Sequence, residues 1–469
     1  MTRPSFPRPA TLPGRQSAHT PRQLVPIDDA ADWGPLPTLP SRTRIFPDAS
    51  WVLSTHFVPA ALPRTTPDIP PVTLPTWTPD KEKWKAAVRK TADEIVGVRY
   101  KQWNGELKEP GSRKPLWVNL NRYRRRALSP GDESKGVTLL FAHANGFPKE
   151  IWEPALLQLL EQHKASRSTY QIAEVWAWEA VNHGDSYLVN EKNLGGIYDW
   201  QDNSRDVIQF LLHYLPSRAS SSELPLHLPR LTDSIARERR SRGFSERTMV
   251  GIGHSLGGGT LSRAAIAEQA LFRSLILVDP IIRPYPRQGP LVNAATIKLT
   301  LGAIQRQSRW SSRQEAKEKF LASPFFSTWH PDVLDMYVEC GLTEDAEGGV
   351  KLKMPGIQEA LTFTEVMTTY DTWDLIDTLD ARVPLRWILP GKDAEASAQT
   401  FADEPYIDTD GRRTDGGVRA QLAWRRPANA SNVVIQEAGH LIAQEAPVQL
   451  AEELDAFLQN QYGSVTSRL

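Results

Sequence analysis

Ser255 stands in the pentapeptide Gly253-His254-Ser255-Leu256-Gly257, which has the pattern G-x-S-x-G. The run TMVGI before it predicts a strand, and LGGGTLSRAAIAEQA after it predicts a helix. A serine on so sharp a turn exposes its hydroxyl, and the helix N-terminus beside it favours developing negative charge. Gly253 and Gly257 on either side of Ser255 agree with this prediction, because Cβ atoms at these positions would clash across so tight a turn. We therefore predict a nucleophile at Ser255; the competing interpretation is a capping serine in a glycine-rich turn.

Two backbone N–H groups are needed to hold the oxyanion that forms when a serine attacks a carbonyl group. We predict one donor at Leu256, directly after the nucleophile. The second is predicted at Asn145, in the loop AHANGFP that follows the strand candidate Val137–Ala142. Gly146 would give this loop its conformational freedom. Taken alone, the loop fits an ordinary strand-to-helix turn equally well.

His440 is the candidate general base, because it follows the last predicted strand and precedes the last predicted helix. Two carboxylates could orient its imidazole. Asp279 ends the strand candidate SLILVD, and Asp393 follows the strand candidate Val383–Leu389. Either carboxylate would fix the imidazole tautomer and stabilise the imidazolium ion. The sequence leaves the choice between Asp279 and Asp393 open.

These residues need elements that carry them to one edge of a sheet. Strand and helix candidates alternate along most of the chain, which predicts an α/β protein with a mostly parallel sheet and helices on both faces. The predicted strands are Trp51–Pro59, Leu116–Arg124, Val137–Ala142, Ile172–Trp178, Thr248–Gly253, Ser274–Asp279, Val383–Leu389 and Asn432–Gln436. The predicted helices are Ile151–His163, Asp199–Tyr214, Leu256–Gln269 and Ala446–Gln459.

The domain organisation follows from where this alternation starts and where it is interrupted. Residues 1–45 are rich in proline and predict a disordered arm. The core is predicted at 46–283 and 379–462, and residues 284–378 predict a helical cap inserted between two strands. The aromatic residues of this cap would suit an apolar acyl group, although such residues more often form core. The arginine-rich stretch 216–247 predicts a solvated helix.

Composition and charge exclude several classes of protein. Fifty-five basic residues balance 55 acidic residues, whereas a nucleic-acid-binding protein usually carries a basic excess. Cys340 is the single cysteine, so an intramolecular disulfide is excluded. No apolar run is long enough for a transmembrane segment. No feature calls for a metal or a cofactor.

Five segments together resemble one superfamily: AHANGFPKEIWEP, NHGDS, GHSLGGG, LILVDPII and AGHLIAQEAP. They are similar to the α/β-hydrolases, and in particular to fungal peroxisomal hydrolases of the yeast peroxisomal lipase type and of host-selective toxin gene clusters. The resemblance implies the α/β-hydrolase fold with a helical cap. It departs at Asp393, which stands two residues after its glycine where three is common. Because of this departure, the choice between Asp279 and Asp393 as the triad acid remains open.

The chain ends in Ser467-Arg468-Leu469, a variant of the S-K-L peroxisomal targeting signal. The tail 463–469 follows the last predicted helix and should be exposed. We therefore expect a peroxisomal import receptor as a partner and the peroxisomal matrix as the location. The alternative location is the cytoplasm, if the signal is not read.

The leading hypothesis is a serine hydrolase that cleaves an acyl ester, lipid or thioester in fungal peroxisomal lipid or secondary, toxin-like metabolism. Ser255, His440 and one aspartate would form the triad, and the acyl-enzyme would be released by water. An acyltransferase on the same fold is the first alternative, because the sequence does not identify the acceptor. A non-catalytic binding protein is the second.

Overall fold

The computed structural model of the 469-residue chain describes residues 3–8, 19–28, 34–128, 136–166, 168–286, 288–392 and 417–463. Two of the predicted features fall outside the described residues. One is the acid candidate Asp393, and the other is the targeting tripeptide Ser467-Arg468-Leu469.

The described residues form eleven strands. Their bounds are Trp51–Pro59 (β1), Trp117–Arg125 (β2), Val137–Ala142 (β3), Ile172–Trp178 (β4), Thr248–His254 (β5), Ser274–Val278 (β6), Arg309–Trp310 (β7), Leu342–Glu344 (β8), Val350–Leu352 (β9), Leu385–Pro390 (β10) and Ala430–Ile435 (β11). Eight of them make one sheet in the order β1-β2-β4-β3-β5-β6-β10-β11. β2 is antiparallel to both neighbours, and the other pairs are parallel.

Helices connect the strands and cover both faces of the sheet. Their bounds are Lys81–Trp103 (α1), Glu153–Ala165 (α2), Gly184–Asn190 (α3), Trp200–Gln209 (α4), Asp233–Arg242 (α5), Leu256–Ala267 (α6), Ala294–Gln305 (α7), Arg313–Leu321 (α8), Pro331–Cys340 (α9), Gly356–Thr364 (α10), Met367–Leu375 (α11), Gly417–Ala423 (α12), Ile442–Glu445 (α13) and Pro447–Tyr462 (α14). In the described ranges, no helix combines the length and apolar character that a bilayer crossing requires.

The central strands are buried on both faces, which explains their nearly continuous apolar sequences. In β3, Leu140 and Ala142 join one apolar core, whereas Leu139 and Phe141 join the core on the other side of the sheet. Helices α1, α4, α6 and α11 cover the first core, and α2, α9 and α14 cover the second. This alternation confirms the predicted α/β fold with helices on both faces.

The chain between β6 and β10 holds helices α7 to α11 and the small antiparallel sheet β7-β9-β8. The sequence predicted the insertion at 284–378 but not this sheet. Trp310 and Trp329 are buried there, and Phe326 contacts the rings of Trp329 and Tyr337. These aromatic residues belong to the second apolar core, together with residues of the sheet, while Phe325 is 53% exposed.

Residues 19–28 pack against the body of the protein, in contrast to the disordered arm predicted for residues 1–45. Arg22 donates hydrogen bonds to the carboxylates of Asp199 and Asp371, at 2.9 and 2.8 Å. It also lies 3.4 Å from a carboxylate oxygen of Glu365. The three acidic side chains are fully buried, so they require cations, and Arg22 of the arm contacts all three of them.

The segment 216–247 was expected to be solvated, but two of its arginines are buried. Arg239 and Arg247 are buried. Arg247 lies 2.6 Å from the carboxylate of Glu174, a fully buried residue of β4, and Arg239 donates to the carbonyl oxygen of Leu211. The charge run therefore contains structural cations, because a carboxylate inside the sheet has to be paired.

We predict that Arg22→Ala lowers the free energy of unfolding by about 3 kcal/mol, since it removes the cation that contacts three buried carboxylates. Urea unfolding followed by circular dichroism measures this change. The matched control is Arg89→Ala, which removes an exposed i,i+4 pair with Asp93 and should cost no more than about 0.5 kcal/mol. Equal losses in the two variants would contradict the structural role of Arg22.

Candidate active site

Ser255 occupies the turn between β5 and α6 with φ 54° and ψ −115°, a conformation that costs a residue with a side chain about 1–3 kcal/mol. Hydrogen bonds hold the turn on both sides. Its N–H donates to the carbonyl oxygen of Val278 at 3.0 Å, and its carbonyl oxygen accepts from the N–H groups of Gly259 and Ile281. The hydroxyl therefore sits where strand and helix meet, as the sequence predicted.

Glycines around Ser255 are required by the close approach of neighbouring backbone. A Cβ on Gly257 would lie 2.2 Å from the carbonyl oxygen of Ala142. A Cβ on Gly253 would lie 2.5 Å from the carbonyl oxygen of Gly257. Both distances are far below van der Waals contact, so no larger residue fits without moving the chain.

Ser255, His440 and Asp279 form one hydrogen-bonded chain. The Nδ1 atom of His440 lies 2.6 Å from Oδ2 of Asp279, and its Nε2 atom lies 3.0 Å from Oγ of Ser255. An ionised carboxylate only accepts hydrogen bonds, so Nδ1 carries the proton and Nε2 accepts the hydrogen bond of the serine hydroxyl. The structure thus brings together Ser255, His440 and one of the two predicted acids.

The loop that carries His440 is fixed from several sides. Nε2 of His254 donates to the carbonyl oxygen of His440 at 2.8 Å. The N–H of Gly439 donates to the carboxylate of Glu445 at 2.8 Å, and the N–H of Lys392 donates to a carbonyl oxygen of the same loop at 3.0 Å. Burial, together with the neighbouring His440, lowers the pKa of His254 to about 3. The imidazole of His254 is therefore uncharged and helps to hold the loop of His440 in place.

Asp279 also contacts a cation that the sequence analysis missed. Nε and Nη2 of Arg419, on α12, donate to Oδ1 and Oδ2 of Asp279 at 2.7 and 2.6 Å. Burial alone would raise the pKa of Asp279, but the charge of Arg419 and the hydrogen bonds from His440 and Arg419 hold it well below its usual range. Nothing in the local sequence of α12 marks this arginine.

The loop after β3 lies directly against the turn at Ser255. The N–H of Gly257 donates to the carbonyl oxygen of His143 at 3.0 Å. In the described part of the chain, the backbone N–H groups of Leu256 and Asn145 donate to no protein acceptor. Gly146 has φ 90°, and a Cβ there would lie 3.0 Å from Oε1 of Glu359. Only glycine satisfies both constraints.

A chain of polar groups connects this loop to helix α10 of the insertion. Nδ1 of His183 donates to Oδ1 of Asn182 at 2.7 Å, since Nδ2 of Asn182 donates to Thr362. Thr362 in turn donates to the carbonyl oxygen of Gln358. Nε2 of His183 is then free to accept the N–H of Gly146 at 3.1 Å. Burial, with His143 and Arg306 nearby, holds the pKa of His183 well below its ordinary value.

The arrangement can activate a serine and place two N–H donors beside it. Across the ranges that the structure covers, no three His, Cys, Asp or Glu side chains group as metal ligands would. The sequence analysis assigned no role to Arg419, Asn182 or Thr362, because the Arg419–Asp279 and Asn182–Thr362 contacts join distant segments.

We predict that Gly257→Ala lowers the free energy of unfolding by at least about 3 kcal/mol, because its Cβ would overlap the carbonyl oxygen of Ala142. Thermal unfolding followed by circular dichroism measures the loss.

The matched control is Gly259→Ala in the same helix. Its Cβ would come no closer than 3.3 Å to the carbonyl oxygen of Ile281, so the change should stay within about 1 kcal/mol. A Gly257→Ala protein as stable as this control would contradict the steric argument.

Three relatives match parts of the chain. The type I acyl-CoA thioesterase mpaH of Penicillium brevicompactum is 26% identical over 43% of this chain and 39% of its own length. The peroxisomal membrane protein LPX1 of Saccharomyces cerevisiae is 26% identical over 50% of this chain and 57% of its own length. The abhydrolase domain-containing protein ACTT2-1 of Alternaria alternata is 31% identical over 22% of this chain and 36% of its own length. Each alignment spans less than two thirds of the relative.

The solved structure of yeast Lpx1, a peroxisomal alpha-beta-hydrolase, matches 88% of this chain and 90% of that chain with a TM-score of 0.57 and 18% identity. This likeness concerns the fold. The profile of the alpha/beta hydrolase family matches residues 139–453, well over half of the chain. The resemblance found in the sequence motifs is confirmed, and the chain belongs to the alpha/beta hydrolase family.

Proposed function

We propose that the protein is a serine hydrolase that cleaves a carboxylic ester or thioester through an acyl-enzyme intermediate. The continuous hydrogen-bonded chain from Ser255 through His440 to Asp279 carries this proposal. Each atom in it has the donor or acceptor character that proton transfer from a serine hydroxyl requires.

In the first step, Nε2 of His440 takes the hydroxyl proton while Oγ of Ser255 forms a bond to the acyl carbon. The carbonyl π electrons move onto oxygen, and the N–H groups of Leu256 and Asn145 hold the resulting oxyanion. Asp279 stabilises the imidazolium ion without taking its proton. The oxyanion then collapses, and the departing thiolate or alkoxide receives the proton from His440.

In the second step, water replaces the leaving group beside His440. The imidazole takes a proton from this water, whose oxygen attacks the ester carbonyl of the acyl-enzyme. Collapse of the second oxyanion releases the acid and returns the proton to Ser255. An acyltransferase would run the same step with an alcohol or an amine in place of water.

Acyl thioesters are the first substrates to test, because one relative is named as an acyl-CoA thioesterase. Simple esters and lipid esters are the second set. Release of the free acid without an added alcohol or amine distinguishes hydrolysis from acyl transfer. We propose that the activity belongs to fungal peroxisomal lipid or secondary metabolism, with support from the C-terminal tripeptide and from the similarity to a peroxisomal protein of yeast.

We predict that a fluorophosphonate probe labels the wild-type protein at Ser255, as located by peptide mass spectrometry. Ser255→Ala should abolish labelling. His440→Ala and Asp279→Asn should slow labelling by about 10³-fold or more, since either change removes the activated hydroxyl.

The control is Ser262→Ala, which removes another buried serine hydroxyl of α6. This variant should be labelled like the wild type. A folded wild-type protein that does not react would exclude the serine mechanism and favour a binding protein.

We predict that the full chain with an N-terminal fluorescent protein enters peroxisomes when expressed in a fungal cell. Deletion of Ser467-Arg468-Leu469 should leave the fusion in the cytoplasm, because the import receptor reads the C-terminal tripeptide. Colocalisation with a peroxisomal marker measures the difference. Import that persists after the deletion would show that this tripeptide is not the targeting signal.

A further inference from the structure

Arg419 binds the same carboxylate as the imidazole of His440. Its Nε and Nη2 atoms engage both oxygens of Asp279 at 2.7 and 2.6 Å, and Oδ2 also accepts from Nδ1 of His440 at 2.6 Å. Two side chains thus converge, through three nitrogen atoms, on one buried aspartate whose backbone has φ 33°. A two-pronged contact of this kind fixes the plane of the carboxylate as well as its position.

This contact changes the charge that His440 experiences. An isolated carboxylate would present a full negative charge to the imidazole and so favour the protonated ring. Arg419 balances that charge, so the imidazole faces an ion pair instead. Because a protonated ring cannot accept the hydroxyl proton of Ser255, the balance bears on the pH range of the reaction.

We propose that Arg419 is a positioning residue that orients Asp279 and sets the lowest pH at which His440 accepts the proton of Ser255. The inference rests on the proposed function. It extends that function to a residue on α12, outside the Ser–His–Asp chain.

The other charged groups around His440 are already engaged. His254, at the end of β5, is neutral and donates to the carbonyl oxygen of His440. Glu445, on α13, accepts the N–H of Gly439. Glu437, in the same loop as His440, pairs with Arg3. The Asp279–Arg419 pair contacts the imidazole directly, through Oδ2 of Asp279.

The test follows the rate of fluorophosphonate labelling from pH 4 to 9 in the full chain. In Arg419→Met, the acidic limb of the profile should move to higher pH by about one unit, because the unbalanced carboxylate stabilises the imidazolium ion. Arg419→Lys keeps the charge and loses the two-pronged contact. It should therefore label more slowly at its plateau, with the limb near the wild-type position.

The control is Arg382→Met, which breaks an exposed pair with Asp380 ahead of β10, at the opposite end of that strand from the site. Its profile should equal that of the wild type. Circular dichroism verifies that each variant is folded. If Arg419→Met does not fold, Arg419→Gln takes its place, since glutamine keeps an N–H donor without the charge.

An acidic limb at the wild-type pH in the folded neutral variant would overturn the proposal. Failure of both neutral variants to fold would overturn it too, because Arg419 would then serve the fold. Either result leaves the proposed function standing, provided the wild type is labelled at Ser255. A wild type that is not labelled contradicts the proposed function itself.

Discussion

The strained backbone of Ser255 is the constraint on which the site depends. Its positive φ is held by hydrogen bonds to Val278, Gly259 and Ile281, so it depends on the segments that follow β5 and β6. The turn also brings α6 within contact of the carbonyl oxygens that end β3, which only Gly257 permits. One conformation thus connects three strands and the loop that carries the proposed second N–H donor.

Buried carboxylates impose the second constraint, because each needs a cation where water is absent. Glu174 inside the sheet is paired with Arg247, and the acidic side chains near α11 are paired with Arg22 from the N-terminal segment. Arg419 meets the same need at Asp279. At that position, however, the paired carboxylate also contacts the imidazole, which is why we propose that this cation acts on the proton transfer.

The features that sequence reasoning missed depend on contacts between distant segments. His183 supports Gly146 only because α10 of the insertion fixes the amide of Asn182. Arg247 was expected to be solvated because a local charge run does not reveal the buried Glu174 of a distant strand. Helix α1 was also missed, although Val88, Ala92 and Ile95 form an apolar stripe at helical spacing along it.

The sequence by itself was sufficient for the α/β class, and it also led to the expected insertion and to Ser255 and His440 as candidates. These features are local, since strand periodicity and the glycines of a tight turn lie within a few residues of each other. Local sequence could not identify the triad acid, because Asp279 and Asp393 both stand at the ends of strand candidates that reach the same edge of the sheet. Tertiary structure decided that Asp279 meets His440 and that Arg419, 140 residues further along the chain, meets Asp279. Contacts at such separations arise from the packing of whole elements, which leaves no pattern in the neighbouring residues.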